Sequence, residues 1–187
     1  MVPLGTPMPE FALPDTVSGR LVGSSEFAGT SGLVVMFICN HCPFVKHVRA
    51  QLAALGRDYA GRMPIVAISS NDVAAHPEDA PDLMKVEALE AGCVFPYCFD
   101  ESQQVAMAFG AACTPDFFVY GSDGRLAYRG QLDESRPPSK GYPPIEVTGR
   151  DLRAAMDAVL AGTRVPEPQR ASLGCNIKWK PGNEPRL

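Results

Sequence analysis

Between residues 33 and 59 the periodicity of the chain changes once, and that change limits its fold more than any other feature. Residues 33–38 are continuously apolar and rich in β-branched side chains, the pattern of a central parallel strand buried on both faces. From Pro43 onward, Val45, Val48, Leu52, Leu55 and Tyr59 recur at spacings of 3, 4, 3 and 4, a single apolar stripe on an amphipathic helix. Gly61 ends that helix, and residues 65–68 supply a second buried strand. The remaining elements are arranged around this βαβ unit. Residues 10–13 and 20–22 predict a hairpin about Val17-Ser18-Gly19, and residues 117–120 and 126–128 flank the turn Gly121-Ser122-Asp123-Gly124. Helices are expected over 81–91, with Leu83, Val86 and Leu89 inward, over 101–109, and over 150–160, with Leu152, Met156, Val159 and Leu160 on one face. A short strand is expected over 95–99. This order predicts an α/β domain: a central mixed sheet flanked by helices, with an N-terminal hairpin and an inserted α-β element.

At 187 residues the chain predicts one domain with a core large enough to need neither metal nor disulfide staples. A net charge of −4 argues against nucleic acid or an anionic membrane surface as the main partner. The longest apolar run, residues 33–39, is far short of the roughly 20 residues of a spanning helix. Residues 1–10 show no signal-peptide pattern, so a cytoplasmic, thiol-reducing setting is expected. Eight of the 18 prolines fall from Pro137 onward. They predict a long loop within 130–149 and an extended tail, dividing the chain into a domain at 1–162 and a proline-rich tail at 163–187 packed on it. Six cysteines are too few for a disulfide scaffold, so position must explain them.

Cys39-Asn40-His41-Cys42 places a Cys-x-x-Cys at the strand-to-helix junction, with Pro43 following. One helical turn brings the sulfurs within bonding reach, and the free N–H groups and dipole of the helix N-terminus favour a thiolate. The first cysteine is therefore expected to have the lowered pKa, with His41 adding positive charge. Lowering a thiol from about 8.5 to about 6 raises its thiolate fraction at neutral pH from roughly 3% to roughly 90%. Nucleophilicity falls at the same time, so the gain in attack rate is only about twofold; such a shift tunes redox poise more than speed. Cys39 is expected to attack a partner's disulfide and Cys42 to resolve the mixed disulfide. The competing readings are a zinc site, joining Cys39 and Cys42 to His47 or to Cys93 and Cys98, and an inert pair of cysteines.

These residues resemble the thioredoxin superfamily, with its βαβ unit, Cys-x-x-Cys at the first helix and a later Thr114-Pro115 before a strand. The resemblance implies a cis Pro115 facing the dithiol. Residues 37–46, 113–118 and 174–180 together resemble the peroxiredoxin-like 1 group, and the match spans nearly the whole chain. It implies a thiol–disulfide oxidoreductase without cofactor or bound metal, acting on disulfide-containing proteins or small-molecule thiols and served by a thiol reductant. Catalysis would fall to Cys39, Cys42 and Pro115, with Asn40, His41, Pro43 and Thr114 in support. Thioredoxins carry a Trp before the first cysteine and a buried carboxylate in the preceding strand; here stand Ile38 and an uncharged run. Peroxiredoxins align their peroxide-reactive cysteine with Cys42, but their motif requires Pro and Thr where Val35 and Cys39 stand. A thiol peroxidase using Cys42 is thus the alternative, and a redox-sensing or binding module without turnover a third.

Cys113, beside Thr114-Pro115, and Cys175, in the tail, are candidate third redox thiols. Trp179 is expected to anchor the tail on an apolar groove. Cys93 and Cys98 read as core, while His47 and His76 read as packing or solvated side chains. The tail's Arg164, Arg170, Lys178, Lys180 and Arg186 outnumber Glu167 and Glu184, which reads as a solvated surface.

Overall fold

The computed structural model describes residues 2–141 and 143–184; Pro185 and Arg186 lie outside them. A central five-stranded sheet runs in the order β5 (Tyr97–Phe99), β4 (Ile65–Ser69), β3 (Gly32–Phe37), β7 (Asp116–Gly121), β8 (Leu126–Gly130). β3 pairs parallel with β4, and β4 with β5, whereas β7 runs antiparallel to both β3 and β8. The sheet is mixed, as the element order requires. The N-terminal hairpin is formed by β1 (Ala12–Pro14) and β2 (Leu21–Gly23).

Every residue of β3 is buried, and its side chains alternate between two cores. Val34 and Met36 join one core with Val48, Leu52 and Leu55 of α1 (Pro43–Asp58) and Leu152 and Met156 of α4 (Arg150–Leu160). Leu33, Val35 and Phe37 face the other, with Phe11, Val22 and Phe109. Cys39 and Cys42 belong to the first core, so the dithiol begins on the α1 side of the sheet.

Several boundaries and faces differ from expectation. α2 spans Pro81–Ala91, but Leu83, Val86 and Leu89 are 47%, 47% and 61% exposed. The helix lies at the sheet edge against α1 and β5, where only a narrow strip is covered, and Met84 and Ala88, one turn apart, fill it. α3 begins at Gln104 rather than 101, because Asp100 caps this start by accepting from Ala106 N–H. The short strand starts at Tyr97, after Pro96, whose missing N–H suits an end rather than a ladder. In α4, Leu152, Ala155 and Met156 are the buried residues, and Val159 and Leu160 are half-buried at its C-terminal end. A two-stranded sheet that the sequence did not suggest joins β6 (Cys113–Thr114) to β9 (Cys175–Asn176) in the tail.

Candidate active site

Two buried thiols meet where α1 begins. Cys42 is the N-cap of α1 and Pro43 its first residue, a position where a missing N–H costs nothing. Cys39 and Cys42 are 1% and 0% exposed, and both are free thiols. Across from them lies Thr114, joined to Pro115 by a cis peptide bond. Cys39 Sγ is 3.3 Å from Thr114 Oγ1, and Cys42 Sγ is 3.1 Å from the Thr114 carbonyl, to which the thiol form donates.

The surroundings of the two thiols act in opposite directions, lowering Cys42 and raising Cys39, the reverse of the expectation drawn from the motif. Cys42 is pulled down to about 4, first by the hydrogen bond from the Cys39 thiol, then, against its burial, by the Val45 N–H in the first turn of α1, by Thr114 and by the Cys175 N–H. These donors outweigh the single Thr114 carbonyl. Cys39 is driven upward because it donates to Cys42, because it is buried, and because the Asp79 carboxylate is near. The helix N-terminus does stabilise a thiolate, but on the cysteine its N–H groups reach.

Asp79 is the functional residue the motif did not reveal. It ends a short 3-10 turn, Pro77–Asp79, and is fully buried. Its Oδ1 accepts from the backbone N–H groups of Asn40 and His41 at 2.8 and 3.1 Å. Its Oδ2 lies 2.6 Å from His41 Nδ1 and accepts from Asn71 Nδ2 at 2.7 Å. Asn40 Nδ2 donates to the Glu78 carbonyl, and Tyr97 Oη donates to Asn40 Oδ1. The Cys-Asn-His-Cys loop is therefore clamped from beneath by a buried anion. His41, stacked on His76 with centroids 5.0 Å apart, directs Nδ1 at Asp79, with Cys39 Sγ 4.0 Å away. Any positive charge on His41 is thus paired with a carboxylate that acts oppositely on Cys39. The only hint in the sequence was the acidic, proline-containing stretch after His76.

The other candidates divide clearly. Cys175 pairs in register with Thr114, and its backbone N–H and thiol both lie against Cys42. Cys113 faces away, into a cavity shared with Asp116, Arg129 and Ser172, and its thiol is pushed up to about 12, first by burial. Asp116, raised to about 6 by burial, lies on that far side and is not poised against Cys42. Cys93 packs on the core that holds Cys39, whereas Cys98 belongs to the core on the opposite face of the sheet. Zinc ligation joining both of them to the dithiol is therefore not assembled. His47 lines a groove beside Pro115 with Ser135 and Arg136, and its Nε2 is buried without a partner. Among the described residues, the side chains close enough to share a metal are Cys39, His41 and Asp79, and His41, His76 and Glu78. Trp179 packs against the second core. Arg164 and Arg170 are paired with Glu167 and Glu134, which reduces the tail's free positive charge.

A mixed sheet with buried thiols at the first helix and a cis-proline loop opposite defines a thioredoxin-like protein. Solved structures agree: a thioredoxin-family thiol:disulfide interchange protein from Chlorobium tepidum TLS shares this fold at a TM-score of 0.63 and 16% identity, over 86% of this chain and 99% of that one. The AhpC/TSA family matches residues 4–129, and the chain belongs to that family, within the peroxiredoxin-like thiol oxidoreductases of the thioredoxin fold. An uncharacterized conserved protein from Geobacillus kaustophilus is 50% identical, with a TM-score of 0.92, over 97% of this chain and 95% of that one. A hypothetical protein from Sinorhizobium meliloti 1021 is 49% identical, with a TM-score of 0.92, over 97% of each chain. A search of curated proteins finds no match.

Proposed function

We propose that the protein is a thiol–disulfide oxidoreductase that cycles Cys39 and Cys42 between dithiol and disulfide, on protein or small-molecule disulfides in a reducing, cytoplasmic setting. The observation that carries this reading is the pair of buried thiols at the mouth of α1 facing the Thr114–Pro115 cis peptide, with Cys39 Sγ 3.3 Å from Thr114 Oγ1 and Cys42 Sγ 3.1 Å from the Thr114 carbonyl. Cys42 lies beneath the tail, whereas Cys39 lines a narrow, mostly apolar pocket of about 20 Å³ with Ile38, Val45, Cys93, Phe95 and Tyr97. Cys39 therefore makes the first attack on a disulfide R–S–S–R′. Its thiolate attacks the R′ sulfur, the S–S bond breaks, and R–S⁻ leaves, taking up the proton that Cys39 gave. The Cys42 thiolate then attacks Cys39; the Cys39–Cys42 bond forms and R′–S⁻ departs. The uncharged strand at 33–38 offers no carboxylate base, and an external thiol restores the dithiol.

Reduction of a model protein disulfide with dithiothreitol as the electron source tests this. Wild-type turnover and a Cys39-linked mixed disulfide trapped in Cys42→Ser are expected; absence of both sinks the proposal. The thiolate on Cys42 also favours a second reading, a peroxidase in which Cys42 attacks the peroxide oxygen and becomes a sulfenic acid. Peroxide consumption lost in Cys42→Ser, with the first turnover spared in Cys39→Ser, would select that reading.

A further inference from the structure

The tail covers the site, and its docking is built in detail. Ser172 Oγ donates to the Gly130 carbonyl at 2.6 Å. Ile177 is 3% exposed within the second core. The Lys178 N–H donates to Asn71 Oδ1 at 2.9 Å, and the same Asn71 donates to Asp79 beneath the dithiol loop. Gln103 accepts from the Lys180 N–H at 2.8 Å while donating to the Lys178 and Ser70 carbonyls. It does so from a left-handed φ of 65°, a conformation that costs a non-glycine residue free energy. Gly174 approaches the Thr114–Pro115 peptide so closely that a Cβ there would sit 2.1 Å from the Thr114 carbonyl oxygen. This clamp fixes Cys175 opposite Thr114, with its thiol against Cys42.

We infer that Cys175 is a third redox thiol, which exchanges with the Cys39–Cys42 disulfide at the Cys42 sulfur and moves the bond onto the tail strand. The inference rests on the dithiol reading above. In the step, the Cys175 thiolate attacks Cys42 Sγ; the Cys42–Cys175 bond forms, the Cys39–Cys42 bond breaks, and Cys39 leaves as a thiolate that takes up the proton Cys175 gave. No electrons are gained or lost, so no further oxidant is required, and an external thiol can reduce the new bond. Because backbone pairing holds both partners, the exchange is intramolecular at high effective concentration. In the reduced protein Cys175 is held up at about 11, by burial first and then by the adjoining Cys42 thiolate. Once Cys42 enters a disulfide its charge is gone, which removes the second cause and leaves burial alone to raise it. Cys113 takes no part, because strand alternation turns it to the opposite side. Exchange also returns Cys39 as a free thiol, so the oxidised protein keeps its pocket-lining cysteine reduced.

The test equilibrates the full chain with a series of reduced and oxidised glutathione ratios, quenches it in acid, alkylates it and maps the linkages by mass spectrometry. Wild type is expected to show both Cys39–Cys42 and Cys42–Cys175 linkages, and Cys39→Ser only the latter. Adding Gly174→Ala to Cys39→Ser should lower the Cys42–Cys175 fraction by about tenfold or more, with glutathione on Cys42 instead, because the effective concentration falls. The wild-type map needs no variant to fold. If wild type forms Cys39–Cys42 but neither it nor Cys39→Ser forms Cys42–Cys175, the inference is overturned and the dithiol reading stands. If wild type forms no Cys39–Cys42 bond at any ratio, the dithiol reading fails and the exchange onto Cys175 fails with it.

Discussion

Two pairs of cysteines close to the central sheet have opposite characters. Cys39 and Cys42 are shifted in opposite directions, touch Thr114 and rest on a clamped loop. Cys93 and Cys98 are raised to about 11 and about 12, first by burial and then by the nearby Glu87 and Asp15 carboxylates, and lie on opposite faces of the sheet. Four intervening residues across a strand edge separate one pair; two across a strand-to-helix junction unite the other. Burial by itself makes a thiol inert, and donors at a helix mouth are what make a buried thiolate affordable.

That contrast breaks most directly at the reacting sulfurs. Cys39→Ser should reduce disulfide turnover on the order of a thousandfold or more, whereas Cys93→Ser should leave it unchanged, in the same model-disulfide assay. Loss of activity in both would erase the distinction.

The thiolate should next appear in stability against pH. The folded pKa of Cys42 lies below its unfolded value, so its contribution is complete above the unfolded value and is lost as pH falls through about 4. Cys39, raised, acts in the other direction: its contribution is present below its unfolded value and is lost at higher pH. Between about pH 8 and about pH 4, reduced wild type should therefore lose stability relative to Cys42→Ser, by at most about 1.4 kcal/mol per pH unit. Thermal melts of the two reduced proteins check this, and parallel curves would place the thiolate elsewhere.

Asp79→Asn should cost about 1.5–3 kcal/mol, since a buried carboxylate that accepts from the loop is replaced by a group that also donates. It should also shift alkylation of Cys39 to lower pH, because the Asp79 charge holds that thiol up. A stability loss with an unchanged alkylation profile would leave Asp79 as a clamp alone. The smallest effects fall on the inert pair. Cys98→Ser, fully buried, should destabilise by about 1–2 kcal/mol, and the half-buried Cys93→Ser by less than about 0.5 kcal/mol, with the redox potential unmoved in both. Chemical denaturation and glutathione titration measure the two quantities separately.

Much of the fold was legible because strand and helix periodicities differ and the long elements state theirs repeatedly. The runs at β3 and β4 and the stripe on α1 each carry several concordant residues. α2 misled because its apolar residues outnumber the covered positions, and sequence does not reveal how much of a helix a sheet edge will cover. β6 and β9 were invisible because two-residue strands carry no period, and their pairing joins segments about 60 residues apart.

The sequence by itself determined that the chain forms a mixed α/β domain with a Cys-x-x-Cys at the start of its first helix, since periodicity and chain spacing are local properties. Only the tertiary structure decided which thiol is lowered and which raised, that Asp79 lies beneath the loop, and which outlying cysteine reaches the site. Each of these depends on donors, charges and backbone edges brought from distant parts of the chain, and electrostatics in a buried site follows distance in space rather than separation in sequence.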